Sequence, residues 1–170
     1  MLIANWKSNG SKAMAIDWFH NFFDKYSIKN HETFIGIAPP YLYIEQINSL
    51  KKSNINTGLQ DIEPFSGART GSISADMAID LDCSFSIIGH SERRVFFKES
   101  NDQIKQKIIN LDKRIIPILC VGETEKENIA GKTKHVLQTQ LEIIKNYDLH
   151  ELFTVAYEPV WAIGSGKTPH

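Results

Sequence analysis

The segment Ile115–Val121, I-I-P-I-L-C-V, is almost wholly apolar, and it is the stretch that decides the fold. Branched apolar residues in a short run predict a strand. The run does not alternate with polar residues, so it should be buried on both faces, as strands of parallel sheets are. Gly122 and then the polar residues Glu123 and Thr124 follow. The segment therefore predicts a parallel α/β sheet whose strands end in polar groups.

Other parts of the chain repeat this pattern. Further strands are predicted at Leu2–Ala4, Thr33–Ala38, Ile55–Leu59, Phe85–Gly89 and Phe153–Glu158. Apolar residues at helical spacing predict helices at Met14–Phe23, Tyr41–Leu50, Ile73–Leu81, Asn101–Leu111 and Lys126–Tyr147. Six strand-then-helix units without hairpin signals indicate a parallel sheet built from right-handed crossovers.

Two architectures fit such a sheet: an open doubly wound sheet and a closed barrel of alternating strands and helices. No G-x-G-x-x-G follows the first strand, which weakens a dinucleotide-binding interpretation. Polar residues instead gather at the carboxyl ends of strands one, three, four, five and six, as in barrels that assemble an active site at one face. No linker divides the chain, so we expect residues 1–170 to form a single domain.

Composition narrows the class of partner. The net charge is -1, and no long run of like charge indicates nucleic-acid or membrane-surface binding. Cys83 and Cys120 lie far apart without C-x-x-C spacing, so neither a disulfide framework nor a zinc site is expected. Strand-like sequence from Leu2 leaves no room for a signal peptide, and no apolar run approaches a membrane span. We expect a cytoplasmic protein that binds a small molecule or another chain.

Chemistry-bearing residues concentrate in Phe153–His170, F-T-V-A-Y-E-P-V-W-A-I-G-S-G-K-T-P-H. Glu158 ends the strand, in a partly dry position that we expect to raise its pKa toward that of a useful base. Pro159 prevents direct entry into a helix. An apolar tip, Val160–Ile163, and a flexible Gly164–Gly166 hinge then predict a lid over a ligand, with an ordinary surface loop as the alternative.

His90 follows the fourth strand at the start of a predicted helical turn. Free backbone N–H groups and the helix dipole disfavour a charged imidazole there. A neutral ring can donate a hydrogen bond to a carbonyl, although a histidine satisfied by its own loop is the alternative. Because Glu158 ends a matching strand, both side chains are expected in one pocket.

Three other positions have less specific interpretations. Lys7, after the first strand, would neutralise an anionic substrate, or it is a solvated surface lysine. Asn5 would hold that lysine or the substrate. Cys120 is expected to pack rather than react, since nothing nearby lowers its pKa. Residues 92–94 form either an exposed charge cluster or a buried network supporting the site.

Five motifs occur together and in order: A-N-W-K-S-N-G (4–10), S-G-A-R-T-G (66–71), I-I-G-H-S-E-R-R (87–94), I-L-C-V-G-E-T (118–124) and A-Y-E-P-V-W-A-I-G-S-G-K (156–167). With them the chain resembles the triosephosphate isomerase family along essentially its whole length. The resemblance implies a homodimeric (β/α)8 TIM barrel that interconverts dihydroxyacetone phosphate and glyceraldehyde 3-phosphate, in glycolysis and gluconeogenesis, without cofactor or metal. It also implies that Glu158 is the base, His90 the electrophile and Lys7 the cation.

The resemblance assigns lesser roles as well. Asn5 and Gly164 resemble substrate-binding residues, Gly164 through its backbone N–H on the phosphate. Ser91, Glu92 and Cys120 are taken as supporting residues, and the loop around Thr70 as a dimer contact. Asp61, Arg69 and Ser72 depart from the common family pattern. Arg69 and Ser72 lie in the loop around Thr70, so details of the dimer contact should differ.

The length also departs from the family. Thr168-Pro169 is typical of a helix start, yet strands seven and eight, whose loops supply much of the phosphate site, are absent. We therefore expect residues 1–170 to be a fragment covering strands one to six of a longer protein, and to be inactive alone. The alternatives are an inert truncated product and another phosphate-binding barrel isomerase.

Overall fold

The computed structural model describes residues 1–25, 33–52, 54–146, 153–163 and 165–166. Their contacts divide the chain into two compact units, Met1–Ser86 and Ile87–His170. Each unit has its own strands, helices and buried residues. That residues 1–170 form a single domain stays a prediction.

The first unit is built on a parallel sheet. Its strands are β1 (Leu2–Asn5), β2 (Ile35–Ala38), β3 (Ile55–Leu59) and the first residues of β4 (Cys83–Ile88), paired in chain order. Gly36 and Gly58 leave room on one face of this sheet for the ring of Phe85, because a Cβ at either position would lie 2.6 or 2.5 Å from that ring. Phe85 is completely buried.

Three helices complete the first unit: α1 (Lys12–Lys25), α2 (Ile44–Leu50) and α3 (Ala75–Asp80). The helix predicted from Tyr41 begins as a 3₁₀ turn, Tyr41–Tyr43, after Pro40. The helix predicted from Ile73 starts later, because the Ser74 side chain caps it by accepting a hydrogen bond from the backbone N–H of Met77. Between sheet and helices lies an apolar cluster of Trp6, Ala15, Phe19, Ile37, Ile47 and Ile55.

The second unit contains two paired parallel strands and four helices among its described residues. The helices are α4 (Ser91–Phe96), α5 (Asn101–Ile109), α6 (Glu125–Ile129) and α7 (Thr133–Leu141). The strands are β5 (Ile116–Val121) and β6 (Thr154–Tyr157), in register from Ile118↔Thr154 to Val121↔Tyr157. Every residue of β5 is buried, which confirms the prediction made from its apolar run.

The prediction of one long helix over Lys126–Tyr147 is wrong. The segment divides into α6, α7 and a 3₁₀ turn, Glu142–Ile144, while Tyr147 lies outside the described residues. Gly131 causes the break, because its φ of +67° lies in the left-handed region, where an α-helix cannot continue. Thr124 starts α6 through a capping box with Glu127.

The other predicted elements agree with the structure apart from shifts at their ends. Strand β4 begins at Cys83 rather than Phe85 and ends before Gly89, whose φ is +70°. Strand β6 ends at Tyr157, although the N–H of Glu158 still donates to the carbonyl of Val121, at 2.7 Å. Within the described residues, no helix is both long and apolar enough to cross a membrane.

Candidate active site

The chain turns sharply between β4 and α4, and this turn orients His90. His90 is the N-cap of α4, and its ring Nδ1 accepts a hydrogen bond from the backbone N–H of Glu92, at 3.1 Å. A nitrogen that accepts a hydrogen bond carries no proton, so the ring is the neutral tautomer with its proton on Nε2. The predicted helix start at His90 is therefore confirmed, and the contact with the helix N-terminus fixes which nitrogen is the donor.

The protonated nitrogen of this ring points at Glu158. Nε2 of His90 lies 3.2 Å from Oε1 of Glu158, and the two side chains are 7% and 23% exposed. The carboxylate of Glu92 is 3.6 Å from the opposite ring nitrogen, too far for a hydrogen bond. His90 and Glu158 therefore form a donor–acceptor pair in a mostly buried position.

The expectation that burial raises the pKa of Glu158 is wrong in its net direction. Burial is the largest single influence and favours the protonated form. The hydrogen bond and the electrostatic attraction of His90, with hydrogen bonds from the backbone N–H of Ser91 and the thiol of Cys120, together outweigh it, and the pKa of Glu158 lies below its usual value. The N–H of Ser91 approaches Oε2 at 3.4 Å. The sequence showed the strand end but not these donors, which come from distant segments.

Cys120 lies in β5 and is 3% exposed. Burial raises the pKa of its thiol, and the neighbouring Glu158 carboxylate raises it further. The thiol therefore stays protonated and serves as a hydrogen-bond donor to Glu158, which agrees with the interpretation that Cys120 packs rather than reacts.

Arg94 ties the ends of β4 and β5 together. Its guanidinium donates to the carbonyl of Gly89 at 2.8 Å, to Oδ1 of Asn101 at 2.7 Å and to the carbonyl of Cys120 at 3.2 Å. Gly89 precedes His90, so the planar guanidinium joins the strand end that carries His90 to β5, which carries Cys120. Of the two interpretations of residues 92–94, Arg94 fits the supporting network.

Arg93 and Glu92 differ from Arg94. The side chain of Glu92 is 41% exposed. Nε of Arg93 lies 3.6 Å from the carboxylate of Glu99, a buried residue that also pairs with the buried Lys107 of α5. The Glu99–Lys107 ion pair thus contacts α4, the helix that His90 caps, through Arg93 of that helix.

Glu123, at the end of β5, is a carboxylate that sequence reasoning missed. It is 0% exposed and accepts hydrogen bonds from the indole N–H of Trp161 at 2.8 Å and from the hydroxyl of Tyr157. Asn128 and Thr133 donate to it as well. Burial raises the pKa of Glu123, but these hydrogen bonds outweigh it and leave the pKa below its usual value. A carboxylate two residues after a buried strand was the available signal.

The contact with Trp161 bears on the predicted lid. Trp161 lies in its apolar tip, so Glu123 tethers this part of the lid segment to the end of β5. The N–H of Val160 also donates to the carbonyl of Glu123, at 3.1 Å. Gly164, the predicted phosphate contact, lies outside the described residues.

The first unit holds Asn5 and Lys7. Lys7 has a φ of 52°, and its N–H donates to Oδ1 of Asn5 at 2.9 Å. Its carbonyl accepts from the side-chain amide of Gln60 at 2.8 Å, and the same amide donates to the carbonyl of Ala38 at 2.9 Å. Asn5 therefore supports the backbone of Lys7, together with Gln60, which sequence reasoning did not single out.

The predicted site residues are thus distributed over both units. In the second unit the structure brings together His90, Ser91, Cys120 and Glu158, with Glu92 contributing its backbone N–H. The first unit carries Asn5, Lys7 and the exposed Thr70. Within the described parts of the chain, no group of three or more His, Cys, Asp or Glu side chains could hold a metal ion.

The sequence of the chain matches one family of known proteins. The family model described as triosephosphate isomerase matches residues 1–170. The chain is 41% identical over 174 residues to triosephosphate isomerase of Erwinia tasmaniensis, covering 99% of this chain and 68% of the relative. It is 42% identical over 177 residues to that of Buchnera aphidicola, covering 99% and 69%, and 38% identical over 174 residues to that of Klebsiella pneumoniae, covering 99% and 68%.

These matches confirm the resemblance seen in the motifs and, with it, the predicted (β/α)8 barrel class, of which the chain covers about strands one to six. The chain belongs to the triosephosphate isomerase family.

Proposed function

We propose that this protein interconverts dihydroxyacetone phosphate and D-glyceraldehyde 3-phosphate, as a cytoplasmic enzyme of glycolysis and gluconeogenesis. One observation carries the proposal: Nε2 of His90 lies 3.2 Å from Oε1 of Glu158, and the ring tautomer is fixed by the N–H of Glu92. A base beside a neutral donor is what proton transfer next to a carbonyl requires. Membership of the family supports this choice of substrates.

The proton moves between two adjacent carbons of the substrate. Glu158, ionised at neutral pH because its pKa is lowered, takes the proton from the carbon next to the carbonyl. The Nε2–H of His90 donates to the carbonyl oxygen, where negative charge develops in the enediolate. Glu158 then returns the proton to the neighbouring carbon while the oxygens exchange a proton at Nε2, so the enzyme ends unchanged.

Further contacts hold Glu158 ready for this transfer. The N–H of Ser91 and the thiol of Cys120 donate to the carboxylate. They stabilise its charge and fix its orientation without taking part in the proton transfer. Both are therefore supporting residues in the proposal, and Glu92 supports through its backbone.

Binding of the anionic substrate is assigned to Lys7, Asn5 and Gly164, as the family resemblance implies. Lys7 supplies positive charge for the phosphate and the developing enediolate, and Asn5 holds the backbone of Lys7 through the 2.9 Å hydrogen bond. Gly164 offers its backbone N–H to the phosphate. Closure of the lid would exclude water, which protects the enediolate from losing phosphate.

The proposal includes a homodimer. Thr70 lies in an exposed loop of the first unit. The end of α4 in the second unit exposes apolar side chains, with Phe96 74% and the C-cap residue Phe97 68% exposed. Exposed apolar side chains of this size are typical of protein interfaces. Analytical ultracentrifugation of the protein completed with strands seven and eight should give a dimer, and Phe96→Ser and Thr70→Arg should weaken it. A monomer before substitution would contradict this part of the proposal.

The activity is tested in a completed chain. This chain spans about 68% of the length of the Erwinia tasmaniensis enzyme. For the assay, residues 1–170 are fused to the remaining part of that enzyme, and this fusion protein is the completed chain. Turnover of both triose phosphates is measured by coupled assay, before and after Glu158→Gln. The matched control is Glu142→Gln, the same change at a carboxylate that is 64% exposed. A folded completed chain without turnover of either substrate would overturn the proposal.

A further inference from the structure

Gln140, on α7, makes an unusual pair of hydrogen bonds with a single residue. Its Oε1 accepts from the backbone N–H of Gly122 at 2.8 Å, and its Nε2 donates to the carbonyl of Gly122 at 3.0 Å. The side chain is buried, with 9% of the residue exposed. Both polar groups of the Gly122 backbone are therefore satisfied by one side-chain amide, much as a neighbouring strand would satisfy them.

Gly122 lies at the centre of the segment that supports Glu158. The carbonyl of Val121, on one side, accepts from the N–H of Glu158 at 2.7 Å, and the carbonyl of Glu123, on the other, accepts from the N–H of Val160 at 3.1 Å. Residues 121–123 thus hold the backbone on both sides of Pro159.

The contact between Gly122 and Glu158 is also very close. A Cβ added to Gly122 would lie 1.8 Å from the carbonyl oxygen of Glu158. Only glycine fits there, and a displacement of Gly122 toward Glu158 must displace the backbone of Glu158. The position of Gly122 therefore controls the position of the carboxylate.

We propose that Gln140 is a positioning residue for Glu158: its amide holds Gly122, and Gly122 holds the backbone that carries the carboxylate. The inference rests on the proposed function of Glu158 as the base. Gln140 touches no reacting atom. Its loss should release the 121–123 segment, and misplacement of a catalytic group by about 1 Å costs roughly 10²-fold in rate.

Two variants separate positioning from simple stabilisation. Gln140→Met keeps a similar length but neither accepts from nor donates to Gly122. In Gln140→Glu the contact with Gly122 depends on pH. The neutral carboxylic acid donates an O–H to the Gly122 carbonyl and accepts from the Gly122 N–H, whereas the ionised form only accepts. Position 140 is buried, and burial raises the pKa of the introduced carboxyl, which favours the neutral form.

The experiment compares kcat and KM of the completed chain with those of both variants, across pH. Gln140→Met should lower kcat by about 10- to 10²-fold and change KM by less than about threefold. For Gln140→Glu, the ratio of its kcat to that of the unsubstituted protein should rise as pH falls through the pKa of the introduced carboxyl. Gln138→Met, the same change at an exposed position of α7, should leave kcat unchanged.

Hydrogen exchange and melting complete the test. The amides of Glu158 and Val160 should exchange faster in Gln140→Met, and slow again in Gln140→Glu at low pH. Unchanged kcat and unchanged exchange in a folded Gln140→Met would overturn the inference. If Gln140→Met fails to fold, the test rests on Gln140→Glu. In that variant, a melting temperature that recovers at low pH without recovery of the kcat ratio would overturn the inference. If the unsubstituted completed chain has no isomerase activity, the proposed function fails, while amide exchange still reports on positioning.

Discussion

Replacement of Glu158 by glutamine removes the base and also disturbs the hydrogen bonds around it. One carboxylate oxygen faces the Nε2–H of His90 at 3.2 Å, and the other faces the N–H of Ser91 at 3.4 Å. An amide has only one acceptor oxygen, so its NH₂ group must face one of these donors. The ring cannot offer an acceptor instead, because the N–H of Glu92 occupies its other nitrogen. One donor–donor contact therefore remains in either orientation of the amide.

The two consequences have different magnitudes. An unsatisfied, mostly buried polar group costs about 1–3 kcal/mol of the free energy of unfolding. In a protein of this size that corresponds to a fall of about 2–12 °C in Tm. Loss of the base should lower kcat of the completed chain by at least about 10²-fold. Binding of a phosphate-bearing inhibitor should largely survive, since Glu158 is not the residue assigned to the phosphate.

The assay measures kcat by coupled turnover, Tm by circular dichroism and inhibitor affinity by calorimetry. Glu142→Gln serves as the control, because the same change on an exposed side chain should alter none of the three. Intact turnover in a correctly folded Glu158→Gln protein would refute the assignment of Glu158 as the base. A lowered kcat with an unchanged Tm would refute the argument from the donor–donor contact alone.

The remaining predictions concern the histidine, the buried carboxylate and the isolated chain. His90→Asn keeps a side chain that can cap α4 but removes the donor to Glu158. The pKa of Glu158 lies below its usual value in the unsubstituted protein and should rise in this variant. The carboxylate is then protonated at a higher pH, so the acid limb of the kcat/KM profile should move to higher pH. An unmoved acid limb would count against the hydrogen bond. Glu123→Gln should lower the free energy of unfolding by about 1–3 kcal/mol and shift the indole N–H NMR signal of Trp161, and an unshifted signal would contradict the tether. Residues 1–170 expressed alone should show no isomerase activity, because the loops after strands seven and eight bind phosphate in barrels of this kind; turnover equal to that of the completed chain would disprove this.

The fold was predictable because its signals are local. The apolar run of β5 specifies a strand buried on both faces, and the polar residues that follow five of the six strands mark the end at which side chains gather. The failed helix prediction has a local cause too, since Gly131 occurs within an otherwise helical pattern and only its left-handed φ of +67° shows that it ends α6.

The residues of the site were predictable from the sequence, but the direction in which their pKa values shift was not. His90 and Glu158 were recognisable from their places after strands, yet the direction of the pKa of Glu158 depends on three donors from two separate segments, His90 with Ser91 and Cys120. Gln140 and Glu123 gave weaker signals. Gln140 lies in a polar stretch of helix, and nothing in its local sequence indicates that its amide reaches Gly122.

The left-handed backbone conformation at Lys7 lowers the stability of the fold, while its side chain supplies the positive charge assigned to substrate binding. An L-residue with a side chain is strained there by roughly 1–2 kcal/mol, and glycine would remove that strain. A selection for heat resistance alone should therefore replace Lys7 by glycine and discard the cation. Asp82 and Lys98 share this backbone conformation, with φ of 51° and 57°, but have no assigned chemical role, so the same replacement there should cost no activity. Glycine variants at these three positions would distinguish a residue kept for its side chain from residues that the backbone merely tolerates.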